Sequence, residues 1–176
     1  MRIKCLAFVF ILAFFPTSTL ACDLNDEIRS VREAVPDQRV TDLSNEICAN
    51  GQRYDIDPVI IASMIAVESH FRNVQSEIRT RQGREVSCGY MQVQPETFEL
   101  EASYPPAGET RVQQCQSMIY SWRETLRVAV KHLDSLRDSY GLLNAIGSYN
   151  MGPRHGSKNV TYASKVLHYY KEWTND

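Results

Sequence analysis

The sequence holds no apolar run longer than eleven residues, no two adjacent Lys or Arg residues, no C-x-x-C pair and no H-E-x-x-H frame. The longest apolar run, residues 5–15, falls short of the roughly 20 residues a membrane-spanning helix needs. Without paired cysteine or histidine ligands a zinc site is disfavoured. Lys and Arg number 19 against 21 Asp and Glu. With no basic cluster to neutralise phosphates, nucleic acid is not an expected ligand. Glycine and proline are also sparse, at 8 and 7 of 176 residues, and no internal repeat occurs, which argues against a disordered or repetitive chain.

The basic start Met1-Arg2-Ile3-Lys4, the apolar run and the small-residue end Thr19-Leu20-Ala21 have the order of a secretory signal peptide cut after Ala21. Residues 1–21 are therefore read as a targeting segment and residues 22–176 as one folded domain, exported to the periplasm. Removing Arg2 and Lys4 leaves 17 basic residues and a net charge of −4. A domain of this length buries roughly 70% of its unfolded surface, so it is expected to fold as a monomer. Four cysteines remain, Cys22, Cys48, Cys88 and Cys115, an even number suited to an oxidising compartment. They allow three pairings, among which the sequence does not choose; the working expectation joins Cys22 to Cys48 and Cys88 to Cys115. Because Cys22 follows the cut, a lipid anchor on it is the alternative, although Thr19 stands where that signal usually has Leu.

Apolar residues recur at three-to-four spacing almost throughout, which predicts a mostly α fold. Leu24, Ile28, Val31 and Val35 form one stripe, ended by Pro36, and a second helix is expected after a Thr41 cap. Asp57-Pro58 is a strong helix start. Residues 72–88 show no apolar period and read as a polar loop. Ser121-x-x-Glu124 reads as a capping box for a long helix that stops at Gly141. A short helix follows to Tyr149. Residues 155–159 then read as a link to a last helix carrying Val160, Ala163, Val166, Tyr170 and Trp173 on one face.

The chemically informative segment is residues 59–68, where a carboxylate, Glu68, ends a helix that is apolar nearly all round. Such a helix is buried. Burial disfavours the charged carboxylate and the helix C-terminus adds negative partial charge, so both push the Glu68 pKa upward, as a general acid at neutral pH requires. A structural Glu tied to backbone amides or to Arg72 is the plainer alternative. His70 adjoins Ser69 but points away from it, and His132, His155 and His168 are read as solvated.

Three further motifs follow in order: Cys88-Gly89-Tyr90-Met91-Gln92, Ser148-Tyr149-Asn150-Met151-Gly152 and Tyr162-Ala163-Ser164-Lys165-Val166. Together with Glu68-Ser69-His70-Phe71 they resemble the signature of the soluble lytic transglycosylases, whose fold is related to that of goose-type lysozymes. Tyr90 stands for the usual Leu, Ser148 for Ala and His70 for Gly. The resemblance implies a single lysozyme-like helical domain with a substrate cleft, and Glu68 as the catalytic acid/base, with no water, metal or organic cofactor taking part. It implies that Ser87, Tyr90, Met91 and Gln92 line the cleft, that Tyr149 and Asn150 hold the sugar and its acyl group, and that Tyr162 sits near Glu68. The substrate implied is the peptidoglycan glycan strand, and a wall-spanning secretion, conjugation or pilus machine is the implied partner. A hydrolase using Glu77 or Glu85 as a second acid, and an idle glycan-binding module, are the competing readings.

Overall fold

The computed structural model describes residues 22–80, 83–151 and 156–175; the targeting segment assigned to residues 1–21, and His155, lie outside the described residues. The chain is mostly α, as its apolar spacing predicts. Helices α1 (Asn25–Val31), α2 (Asp37–Tyr54) and α3 (Pro58–Ser69) lead into a two-stranded antiparallel hairpin, β1 (Val74–Thr80) and β2 (Gly83–Gly89). Helices α4 (Pro95–Ala102), α5 (Arg111–Tyr120), α6 (Trp122–Tyr140), α7 (Leu142–Met151) and α8 (Gly156–Thr174) complete it. Among the described residues no helix is long and apolar enough to cross a membrane.

Helix α3 is the axle of the core. The seven consecutive residues from Ile60 to Ala66 are all buried, with α1, α2 and α8 packed around them. Asp57 starts the helix, accepting the Val59 amide at 2.8 Å while Pro58 occupies the first turn, where no N–H is needed. The entry is tight: a Cβ on Gly51 of α2 would meet Pro58 Cγ at 2.7 Å, so only glycine lets the α2 end approach α3 this closely.

Four local expectations need correction. Helix α2 begins at Asp37, directly after Pro36, so Thr41 lies inside it rather than capping it. Ser121 makes no side-chain cap on α6, and the Glu124 carboxylate, the other half of the expected box, is taken by Arg127 and by the Tyr104 hydroxyl. A capping box does form one helix earlier, between Thr110 and Gln113 on α5. Residues 72–88, read as a polar loop, contain the hairpin. Its strands carry too few apolar residues to alternate visibly in sequence, and cross-strand pairs such as Glu77 opposite Val86 replace the usual stripe. The expected link at the start of α8 is shorter than its composition suggests, since the helix begins at Gly156.

Both disulfides join the expected partners. Cys22 to Cys48 fixes the N-terminal segment to α2, and Cys88 to Cys115 fixes the end of β2 to α5, with Cα separations of 5.9 and 5.4 Å. The second crosslink therefore holds the hairpin root, beside the turn that carries Tyr90, Met91 and Gln92.

Candidate active site

Glu68 sits one residue before the end of α3, half-buried, with an apolar helix behind it. Tyr162 of α8 donates its hydroxyl to Glu68 Oε1 at 2.7 Å, and the Asn150 amide of α7 makes a second hydrogen bond to the carboxylate. Burial raises the Glu68 pKa to about 7, outweighing these two hydrogen bonds, which favour the charged form and pull it down. Among the described residues no other carboxylate contributes to that shift. Tyr162 and Tyr149 are both held well above the ordinary phenol value, first by burial and then by the charge of Glu68, so both remain protonated donors. The arrangement is a carboxyl poised between its two forms near neutrality, with a permanent donor fixed on one oxygen.

The structural alternative for Glu68 is not realised. Arg72 Nε donates to the Ser69 carbonyl at 3.1 Å instead. Ser69, buried at the helix end, donates to the Tyr90 carbonyl at 2.8 Å and so ties the Glu68 helix to the turn beyond the hairpin. That turn is closed by paired backbone hydrogen bonds between Cys88 and Val93, each 2.9 Å. It needs left-handed backbone at Gly89, with φ 80°, where a Cβ would also press to 3.2 Å from Thr125. Gln92, with φ 52°, closes the other end.

The structure brings Glu68, Tyr149, Asn150 and Tyr162 together from α3, α7 and α8. The turn residues fare differently. Tyr90, expected to line the cleft, is 3% exposed; its ring lies edge-on to Trp122 at 5.6 Å and its hydroxyl accepts from Arg39. The Met91 side chain is likewise sealed in the core at 1% exposure, and its contribution to the site is its carbonyl, which accepts from the Tyr149 hydroxyl at 3.0 Å. Both corrections have one cause: the turn folds inward over α6, so its side chains fill core while its backbone faces the other motifs. Gln92 spends its amide on the hairpin, donating to the carbonyls of Gly89 at 2.8 Å and Val74 at 3.2 Å and accepting from Ser76. Ser87 is half-buried on β2, opposite Ser76.

Sequence reasoning missed one pair behind this site. His132, read as solvated, is half-buried on α6, with Nδ1 3.0 Å from the carboxylate of buried Glu101 and its ring 5.6 Å from that of Tyr149. Its place three and four residues after buried Ala129 and Val128 on α6 was the available signal. His168 is exposed, as expected. Separately, a groove of about 980 Å³ runs between α1, α3 and α8, lined by residues that include Val31, Val67, His70 and Lys165, but not by Glu68 or Tyr162.

No curated protein sequence matches the chain. In fold it is similar to a solved structure of an inactive glutamate-to-glutamine mutant of lytic transglycosylase Slt from Pseudomonas aeruginosa, at 18% identity and a TM-score of 0.53. The match covers 74% of this chain and 24% of that one, so the chain spans about a quarter of its length. This likeness carries the fold, mostly α and lysozyme-like as the motifs imply. Residues 45–171, which span all four motifs, match the model of the transglycosylase SLT domain, and the chain belongs to that family.

Proposed function

We propose that this chain is a peptidoglycan lytic transglycosylase, cleaving the β-1,4 bond between N-acetylmuramic acid and N-acetylglucosamine with Glu68 as the single acid/base. The observation that carries the reading is a lone carboxyl with a pKa of about 7 at the end of a buried helix, gripped by Tyr162 and Asn150. The family match supports it, as does the fold shared with lytic transglycosylase Slt.

In this mechanism protonated Glu68 gives its proton to the bridging oxygen, which leaves as the 4-hydroxyl of N-acetylglucosamine. The resulting carboxylate then takes the proton from the muramic 6-hydroxyl as that oxygen bonds to the anomeric carbon. A 1,6-anhydro end forms and Glu68 is again protonated, so no water is consumed. Tyr162 holds Oε1 throughout, so the proton is given and taken at the other carboxylate oxygen. A two-carboxylate hydrolase would need a second acid aimed at the same bond. Glu77 and Glu85 are exposed on the hairpin strands and neither influences the titration of Glu68. We place the enzyme in the periplasm as a soluble monomer, released after cleavage at Ala21, acting locally on the wall for a machine that crosses it.

Mass analysis of fragments from digested sacculi tests the reading. Anhydro products, lighter by one water than hydrolytic ones, are expected. Reducing muramic ends would establish a hydrolase, and no fragments at all would leave a glycan-binding module.

A further inference from the structure

Glu101 is a buried carboxylate that the mechanism above does not use. It stands on α4, 9% exposed, and three groups of α6 converge on it: His132 Nδ1 at 3.0 Å, Ser135 Oγ at 3.4 Å and Lys131 Nζ at 3.8 Å. A carboxylate withdrawn from water is expensive unless paired, and removing one partner typically costs more than the pair contributes. What this costly group fixes is the ring of His132, and beyond that ring lies Tyr149, 5.6 Å away with its plane tilted by 54°. Tyr149 is thus held at two points, by His132 against its ring and by the Met91 carbonyl on its hydroxyl. The next residue on α7 is Asn150, whose amide reaches Glu68.

We infer that the Glu101–His132 pair is a positioning device for the active site, setting the rotation of α7 through Tyr149 so that Asn150 meets the Glu68 carboxylate. The inference rests on the reading of Glu68 as the acid/base for its catalytic consequence, though not for its geometry. Tyr149 gives α7 its directional anchor. The outward side of α7 carries exposed Leu142, Leu143 and Asn144, and its inward packing on α6 and α8 includes apolar Ala145 and Ile146, which form no directional bond. The Tyr149 hydroxyl, bonded to the Met91 carbonyl, and its ring, tilted against His132, supply the direction.

A positioning role makes a prediction that mere structural support does not. The groups facing Glu68 are Tyr162 from α8 and Tyr149 and Asn150 from α7; those facing His132 are Glu101 from α4 and Tyr149 from α7. The Asn150 hydrogen bond draws the Glu68 titration downward, so losing its alignment must let the midpoint rise.

The experiment follows the Glu68 side-chain carboxyl by carbon NMR titration, assigned with Glu68→Gln, in the wild type, His132→Ala, Glu101→Leu and Glu101→Gln. His132→Ala and Glu101→Leu should each raise the Glu68 midpoint, in high salt as well as low, since a displaced hydrogen bond is not screened as a lost distant charge would be. On sacculi the same two variants should lose roughly tenfold or more in kcat with KM little changed, the signature of a misplaced rather than absent group. Glu101→Gln keeps an acceptor for Nδ1–H and should titrate and turn over like the wild type. An unmoved midpoint in both His132→Ala and Glu101→Leu overturns the inference, even if their melting temperatures fall. So does a shift that vanishes in salt. If the midpoints move as stated while the wild type releases no fragments, the positioning device stands and the transglycosylase reading falls.

Discussion

Tyr162 and Glu68, 94 residues apart in the chain, meet at 2.7 Å with the phenol donating to the carboxylate. The pair sets two opposing effects against each other. Burial on α3 pushes the carboxyl toward its neutral form, and the phenol pulls it back toward the charged one, leaving it near the pH at which it must work in both directions.

Tyr162→Phe removes the pull and keeps the burial. The Glu68 pKa should climb above its present value of about 7, and the alkaline limb of kcat/KM should move up by about one pH unit, the scale of one hydrogen bond to a charged group. Turnover should fall as well, because the proposed mechanism uses the carboxylate form as base, and that form loses support. An alkaline limb that stays in place would mean that Tyr162 does not tune Glu68.

Glu68→Gln separates chemistry from stability. The amide can neither give nor take the proton, so turnover should collapse by orders of magnitude. Stability should respond the other way. A carboxyl at about 7 in the folded chain and 4.5 in the unfolded one contributes nothing adverse below 4.5, and its folded form loses stability as pH rises through 7. The loss is roughly 3 kcal/mol at most, less for the part of the group that meets solvent. The melting temperature of Glu68→Gln should therefore rise relative to wild type between pH 5 and pH 8. Parallel melting curves across that range would show that Glu68 is not destabilised by its charge.

The centre of the site was legible because one residue states its own physics. An acidic side chain closing the apolar segment 59–67 has no cheap structural use, and Asp57-Pro58 fixes where that helix starts. What stayed hidden depends on the third dimension. Tyr90 and Met91 sit within a motif shared with a family, yet which of their atoms faces the cleft is decided by the inward fold of the turn, closed by Cys88 and Val93. The hairpin escaped notice because its few apolar residues, such as Val74, Val86 and Cys88, make no visible alternating run, while Gln92 and a disulfide to α5 hold its root. His132 and Glu101 are 31 residues apart, and nothing in either local sequence announces the other.

The two crosslinks make a further prediction about residues 22–176. Protein comprising residues 22–176, denatured without reductant, should show no labelling by a thiol reagent, since all four of its cysteines are paired. Replacing Cys88 and Cys115 together by Ala frees a closed loop of about 27 residues and should cost about 3 kcal/mol in denaturant unfolding, loosening first the hairpin root that holds the Gly89–Gln92 turn. Labelling at three cysteines, with a lipid on Cys22, would establish the anchored form instead.

His70 marks a place where the chain departs from its family's habit at a measurable cost. It caps α3 with φ 51° and ψ 48°, left-handed backbone in which a Cβ crowds the carbonyl, and Phe71 follows it at φ 54°. Phe71 earns its place by burial, with its ring 6.3 Å from that of Trp173 and its carbonyl accepting from Arg32 at 2.8 Å. His70 is exposed and has no such compensation in the core. His70→Gly should therefore stabilise the domain by about 1 kcal/mol, the relief of the Cβ clash less the entropy glycine adds to the unfolded chain. Because the Glu68 carboxyl is reached from Tyr162 and Asn150 and not from His70, kcat on sacculi should stay within about twofold of wild type. Thermal melts paired with fragment release check both halves: a lower melting temperature would show that the imidazole stabilises the end of α3, and a large fall in kcat would place His70 in the path of the glycan strand.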